Sequence, residues 1–522
     1  MRKLVCWWVV VPVLGVCCVL VWAFVIRNFE PKLQRLAQQR TEQYFQTHFH
    51  STVEISGLQV SSVLSHVHVT IRGVVLREMG ASAQAPMMEL QQVTFDARTL
   101  SLFSHHPVIG SVSIDGLRIR IAPRPQGSQP LIRPSDGDLA DRYPVVIKNL
   151  YVKDADLILL PRDPGKSPHE FDLHRLTMGP LGFRRPARFH ARLTNPVPTG
   201  EIDAAGAFGP WDAQDPGATP VSGHYTFEKA NLGTLNGLQG TLSSTGSFDG
   251  PLNFLAVNGE TDTPNFSLRA TNHPVDLRTA FSAIVDGTNG NTILKQVVAR
   301  FGRSTLNVEG EVVDRTPKRG RTIVLRVATQ GATVQDLLSL AIDSSRPMMT
   351  GAALLHANID IGEGNADLMD RMRLSGHFDI AGAQFAAPKT EERIEALSLK
   401  AQGKPGEVPA GDPATDFSGS LQMGEGLVRL SQLTFDVTGA AVALEGMYNL
   451  DSGQLDLRGK LRMQAKLSQT TTGVKSFFLK AVDPFFEGKG AGTVLPIKIT
   501  GTKDKPDFAL DFHDKTNEEA RK

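Results

Sequence analysis

The sequence predicts a mainly β protein: an N-terminal transmembrane helix, then an elongated, curved and repetitive β-sheet with a few short helices. Three observations predict it. A short apolar phrase with strand spacing recurs at least seven times. An uncharged apolar run, Leu4 to Ile26, precedes all the copies. The composition, with 48 glycines and 7% aromatics, suits many turns and bends better than a helical bundle.

The phrase places apolar residues two apart, inserts one extra residue, and resumes. It reads Val53, Ile55, Gly57, Leu58, Val60; then Val69, Ile71, Gly73, Val74, Leu76; then Met88, Leu90, Gln92, Val93, Phe95. Further copies are Val112, Ile114, Gly116, Leu117, Ile119; Val145, Ile147, Asn149, Leu150, Val152; and Phe171, Leu173, Arg175, Leu176, Met178. A far copy is Val428, Leu430, Gln432, Leu433, Phe435. One added residue turns the following side chains to the opposite face unless a bulge absorbs it. Gly or Asn fills the slot in four of the seven copies, and both tolerate positive φ. The phrase therefore predicts one β module used repeatedly, with bulges or bends at Gly73 and Gly116.

Leu4 to Ile26 is 23 residues long. As a helix it would extend about 34 Å, enough to cross a hydrocarbon core of roughly 30 Å with some tilt. Trp7, Trp8 and Trp22 suit the two interfaces. The run ends Phe24-Val25-Ile26-Arg27, which is a poor cleavage site, so the segment reads as an uncleaved anchor. Arg2 and Lys3 lie before it, and Arg27, Lys32, Arg35 and Arg40 after it. That count leaves the orientation open.

A helix is expected to continue from the anchor over Pro31 to His48. Bulged strands follow from Val53 to Ala122, then a Pro/Gly/Ser-rich loop from Arg124 to Asp141. More strands cover Val145 to Leu160 and Phe171 to Leu193. Near Gly200 the pattern changes to plain alternation bounded by glycine. Two stretches, Val298 to Val312 and Phe435 to Tyr448, share a layout of strand, Gly turn, strand, Gly, strand. Val334 to Ile342 and Thr470 to Val482 are the expected helices of the body, and Gln402 to Thr415 is a linker.

The net charge of +1 argues against a nucleic-acid partner. All three cysteines, Cys6, Cys17 and Cys18, sit in the apolar run, which excludes a disulfide framework, a Cys-ligated zinc and a cysteine nucleophile in the body. Asp286-Gly-Thr-Asn-Gly-Asn-Thr alternates oxygen ligands, but its twelfth position is Val297 rather than Glu, so it reads as a tight turn. His66 with His68, and His48 with His50, make pairs without an obvious third ligand. Asp154 and Asp156 read as a strand-end turn rather than a catalytic pair. Gly240 to Gly250 lacks the Gly-Lys-Ser/Thr ending of a phosphate loop. No catalytic residue, metal site or cofactor is assigned, and the chain is not read as an enzyme.

Gly259-Glu-Thr-Asp-Thr-Pro-Asn-Phe-Ser-Leu, Val285-Asp-Gly-Thr-Asn-Gly-Asn-Thr, and the run from Asp483 to Thr502 carry a resemblance. With the anchor-plus-β layout, the chain resembles the AsmA-like family of bacterial envelope proteins, related to TamB-like and bridge-like lipid transfer proteins. The resemblance implies an inner-membrane anchor, a periplasmic body and a sheet curled into an apolar groove that handles or transfers phospholipid and supports outer-membrane assembly. It suggests a division into an anchor (1–30), an N-terminal AsmA-like β repeat region (31–195), a middle β domain (196–400) and a C-terminal AsmA-like β domain with a short amphipathic helix (401–522). Groove candidates are Val112, Ile114, Leu117 and Ile119, with Val145, Ile147, Leu150 and Val152. An apolar face with Ser113, Asp115 and Arg118 on its reverse fits a lipid path, and fits equally a sheet packed on a core. The expected partners are membrane phospholipid and, as alternative function, envelope assembly proteins bound by a non-enzymatic scaffold.

Overall fold

A computed structural model describes residues 51–511 apart from 64–65, 79–85, 99–100, 102–107, 122–145, 161–167, 182–184, 213–214, 317–319, 343–348, 365, 387, 405–406, 408–414, 467–468, 470–491 and 503–504. Strands dominate. They are β1 (Ser51–Val63), β2 (His66–Glu78), β3 (Met88–Arg98), β4 (Val108–Ile121), β5 (Val146–Leu159), β6 (His169–Gly179), β7 (Ala187–Pro196), β8 (Thr199–Phe208), β9 (Pro220–Asn231), β10 (Leu238–Gln239), β11 (Thr241–Pro251), β12 (Leu255–Leu268) and β13 (Val275–Val285). The rest are β14 (Thr292–Phe301), β15 (Ser304–Thr316), β16 (Gly320–Thr329), β17 (Ala332–Thr333), β18 (Met349–Ile361), β19 (Met372–Phe385), β20 (Thr415–Gly424), β21 (Leu427–Val437), β22 (Ala440–Asn449), β23 (Gln454–Met463), β24 (Thr493–Thr502) and β25 (Lys505–Leu510). Three short α-helices occur among the described residues: α1 (Val334–Ala341), α2 (Leu368–Arg371) and α3 (Pro388–Ala401).

The expected mainly β architecture is therefore present. Among the described residues no helix is long and apolar enough to cross a membrane. The predicted span over Leu4–Ile26, the helix after it, and the amphipathic helix over Thr470–Val482 all lie outside the described residues.

The chain forms two compact units. The first comprises Met1–Thr234, Thr241–Thr261 and Ser282–Thr292. In it β1 to β4 pair antiparallel in sequence order. β4 pairs β5 in parallel, and β5 through β9 and then β11 continue antiparallel. Parallel pairing requires a crossover between the two strands. That connection, residues 122–145, is outside the described residues.

The bulged phrase has a physical explanation in this unit. Ile55 pairs Val74 and Gly57 pairs Arg72, so Ser56 and Gly73 drop out of the ladder without shifting its register. The same happens at Gly73 with Gln91, at Gln91 with Gly116, at Gly116 with Asp154, and at Asp154 with His174. Ser56, Gly73, Gln91, Gly116, Asp154 and His174 thus form one crease running across six strands. Because every strand carries its extra residue in the same row, no strand slips against its neighbour.

Gly73 and Gly116 sit in the crease with φ of 61° and 63°, as the phrase predicts, and Asp154 joins them at 50°. A Cβ on Gly116 would stand 2.3 Å from Gln91 Cδ, and one on Gly73 2.8 Å from Ser56 Cβ. The expectation for the other slots is corrected in part. Gly57 and Asn149 do not take positive φ, whereas Gln432 does, at 53°. In the first, third, fifth and sixth copies the residue that drops out of pairing is one earlier than the slot: Ser56, Gln91, Lys148 and His174.

The crease keeps apolar side chains on one face on both sides of it. Ile71 (0% exposed), Val112 (0%), Val93 (2%) and Leu90 (6%) belong to one core cluster that spans β1 to β5. Burying side chains of this size is worth about 1.5–3 kcal/mol each.

The second unit comprises Leu235–Gly240, Asp262–Phe281 and Ile293–Lys522. β15 and β16 pair antiparallel, β16 continues to β18, and β18 through β25 follow in sequence order, all antiparallel. The repeated layout of strand, Gly turn and strand is present around Gly302 and Gly439. The second glycine of each copy, Gly310 or Gly446, lies inside a continuous strand rather than between two. Its backbone approaches the neighbouring strand so closely that a Cβ would stand 2.0 Å from the carbonyl oxygen of Val324 or of Asp456. Predicted helix 334–342 is α1. Helix α3 was not expected. Its C-terminal Ala401 is fully buried against Val437, Ala440 and Met463, and Ser398 Oγ donates to Thr438 O at 2.8 Å.

Candidate functional site: apolar lanes across the sheet

Strand register in the first unit aligns the inward side chains into lanes perpendicular to the strands. One lane runs Leu58, Ile71, Val93, Ile114, Val152, Leu176, Ala191, Ala204, Tyr225, Gly246. Beside it run Ile55, Val74, Leu90, Leu117, Ala155, Leu173, Leu193, Ile202, Phe227, Ser244. On the other side run Val69, Phe95, Val112, Leu150, Met178, Phe189, Gly206, Gly223, Phe248. At roughly 4.8 Å per strand, ten strands give a contour of about 43 Å. No charged residue interrupts any of the three lanes.

Burial divides the lanes. Seven of the eight predicted groove residues come together in the closed part: Val112 is 0% exposed, Ile114 1%, Leu117 3%, Ile119 3%, Ile147 2%, Leu150 8% and Val152 2%. Val145 lies outside the described residues. From β6 onward the same lanes are half-buried, with Met178, Phe189, Ala191, Leu193, Ile202, Ala204, Tyr225, Phe227 and Phe248 all partly accessible. This accessible strip is the part of the lanes that a ligand can reach.

Large and small side chains alternate across it. Phe248 pairs with Gly223, and a Cβ there would stand 2.9 Å from Phe248 Cζ. Tyr225 covers Gly246 in the same way, with its ring 2.8 Å from a Cβ at that position, and its hydroxyl lies 3.2 Å from Ser244 Oγ. Each ring thus occupies the space that a side chain at the facing glycine would fill, and the Tyr225 hydroxyl has a partner in Ser244. At Gly206 and Gly223 the backbone of the neighbouring strand stands where a side chain would be, 1.9 Å from the Ser222 and 2.3 Å from the Ala205 carbonyl oxygen. Such close approach of two backbones is why glycine stands at both positions.

The reverse face is polar. His190 Nε2 lies 2.7 Å from Asp203 Oδ1, and Arg192 donates to Asp203 Oδ2. Burial works to raise the Asp203 carboxyl, but Arg192 and His190 overcome it and hold it below the ordinary carboxylate range. Arg118 donates to Asp156 at 2.9 Å, and this bond raises the guanidinium further.

The other sequence candidates have local structural roles. Asp286 closes its own turn, accepting from Thr288 N at 2.9 Å and from Asn289 Nδ2 at 2.6 Å. His66 Nδ1 lies 3.3 Å from Asp96, while His68 is exposed. Asp154 belongs to the crease and Asp156 to Arg118; they are in mid-strand, not at a strand end as the sequence suggested. No group of three or more metal-ligating side chains occurs among the described residues.

In the second unit a comparable lane runs Val308, Val327, Ala357, Gly376, Leu421, Leu430, Gly446, Leu457, Ile499. Beside it Phe417 and Phe435 stack at 5.2 Å.

No family model, no curated protein and no solved structure matches this chain. The functional reading therefore rests on the residues themselves.

Proposed function

We propose that the chain is an AsmA-like, membrane-anchored protein of the bacterial envelope. In this reading its periplasmic body handles or transfers phospholipid along the apolar lanes and supports outer-membrane assembly without catalysing a reaction. The observation that supports it is the accessible apolar strip from β6 to β11, which continues the closed lanes of β1 to β5 without a charged residue. Hydrocarbon needs burial but no directional contacts, so an uninterrupted apolar path of small and aromatic residues suits a chain that slides. A closed core needs neither the continuity nor the exposure.

The second reading is a scaffold that binds envelope assembly proteins. One observation favours it: β1 is 13 residues long, contains neither Pro nor Lys, and pairs only with β2 among the described residues. Such an edge can accept a strand from a partner.

Full-length protein, extracted in mild detergent, tests the first reading through the phospholipid bound per chain, counted by mass spectrometry. Phe227→Asp, in the strip, is expected to lose lipid. Thr226→Asp, on the reverse face, is expected to keep it. Equal lipid in both variants, or none in the parent, would move the assignment to the scaffold.

A further inference from the structure

The first unit holds a cavity of about 280 Å³ over β5, β6 and β7, bordered in part by Leu150, Met178 and Phe189 of the third lane. Its polar lining is Asn149, Tyr151, Thr177, Arg188 and His190, and no carboxylate borders it. Tyr151, Thr177 and His190 are direct cross-strand partners in one row, and Arg188 pairs with Gly179 in the next.

The row on the other side of Tyr151 is unusual. Lys153 pairs with Arg175, and Arg175 with Arg192, so three cations stand directly across from one another, all exposed. Like charges opposite one another destabilise a sheet. Nearby carboxylates offset only part of this. Asp154 lies 3.3 Å from Lys153, and Asp203 is shared by Arg192 and His190. Asp156 is engaged with Arg118. Arg175 and Arg188 have no hydrogen-bond or ion-pair partner among the described residues.

We propose that this cavity binds the oxyanion of a phosphate ester. Arg188 supplies a planar two-pronged donor suited to phosphate oxygens, and the Tyr151 and Thr177 hydroxyls supply directional donors, with the Asn149 amide, which also reaches Gly110 O at 3.5 Å, beside them. Arg175, two rows away and outside the cavity lining, adds only to the positive field around it. The ester is either a soluble metabolite or the headgroup of a lipid; the chemistry is shared. Its polar side chains Tyr151, Thr177 and His190 alternate along the strands with the lane residues Leu150, Met178 and Phe189, and Phe227 is not among its lining, so Phe227→Asp tests the lipid path without touching this site.

The test uses full-length protein in a phosphate-free maltoside detergent. Inorganic phosphate, glycerol 3-phosphate and short-chain phosphatidylglycerol are titrated in turn, and binding is followed by ³¹P line broadening. Saturable binding is expected for at least one phosphate ester. Arg188→Gln should weaken it by about tenfold or more, as loss of a charge-assisted hydrogen bond does, and Arg188→Lys should fall between. Arg188 is exposed, so the thermal melt of each variant should match the parent. Equal binding of glycerol 3-phosphate and the lipid identifies a soluble ester as sufficient; binding of the lipid alone, still lost in Arg188→Gln, identifies a headgroup. Phe227→Asp should leave binding of glycerol 3-phosphate unchanged. The proposal is overturned if no probe saturates, or if folded Arg188→Gln binds all three as the parent does.

Discussion

Three glycines occupy the same slot of the repeated phrase but meet different surroundings, and this makes the crease testable. Gly116 has φ of 63°, where an L-residue costs about 1–2 kcal/mol. A Cβ there would also stand 2.3 Å from Cδ of the exposed Gln91, whose side chain can swing aside for about 0.5–1 kcal/mol more. Gly116→Ala should therefore cost about 1.5–3 kcal/mol. Gly73→Ala carries the same backbone cost at φ 61°, but its neighbour is Ser56 Cβ at 2.8 Å, which no rotamer change removes. It should cost at least as much as Gly116→Ala. Gly57 lies outside the positive-φ set, and its nearest neighbour would be Arg72 Cβ at 4.0 Å. Gly57→Ala should be neutral or stabilise by about 0.4–1 kcal/mol by restricting the unfolded chain. Urea denaturation of the full-length protein, followed by circular dichroism, measures all three. Gly116→Asn should be milder than Gly116→Val, since Asn tolerates the left-handed region and a β-branched residue does not. Equal midpoints for the substitutions at Gly57, Gly73 and Gly116 would refute the crease.

Burial predicts a contrast along one lane. Ile114 is 1% exposed, so Ile114→Asp should unfold the first unit, because an unpaired buried charge costs several kcal/mol; a melt like that of the parent would contradict the closed part of the lanes. Phe227→Asp, in the half-buried strip, should melt close to the parent, since water can reach the new carboxylate. The Asp203 carboxyl is held below its ordinary value of 3.8, so its contribution is full above that value and is lost as pH falls through the lower folded value. Asp203→Asn should thus be less stable than the parent at pH 5–7, with the difference vanishing in strong acid; a difference independent of pH would refute the ion network. A reporter active only outside the cytoplasm, fused after Lys522, should be active; a signal from a cytoplasm-restricted reporter alone would overturn the proposed topology.

Much of the first unit was legible in the sequence because its apolar residues mark both the strand period and the extra residue. Val112, Ile114, Leu117 and Ile119 reveal their shared face only if the bulge at Gly116 is granted, and the polar Ser113, Asp115 and Arg118 support that choice. The accessible strip was harder to see. Phe189-x-Ala191-x-Leu193 and Ile202-x-Ala204-x-Gly206-x-Phe208 alternate plainly and lack the bulged slot, so a search for the phrase passes over them. Their alignment into lanes depends on register, which turns and neighbouring strands set and which no single strand declares. The parallel pairing of β4 with β5 was hidden for the same reason. Helix α3 was missed because its exposed face is strongly charged and its contacts, Leu397 and Ala401 against Val437 and Ala440, are made through a narrow stripe. α1, with Val334, Leu337 and Leu338 on one side, shows the expected helical spacing.

Ala204 and Ala205 on β8 offer the most direct test of the lanes as a lipid path. They are adjacent and equal in size, but Ala204 faces the strip and Ala205 the polar reverse. A photoreactive amino acid placed at each in turn, in cells, reports what touches each face on irradiation. Phospholipid should crosslink at 204 and not at 205. Equal crosslinking at both, or crosslinking at 205 alone, would contradict the lipid path.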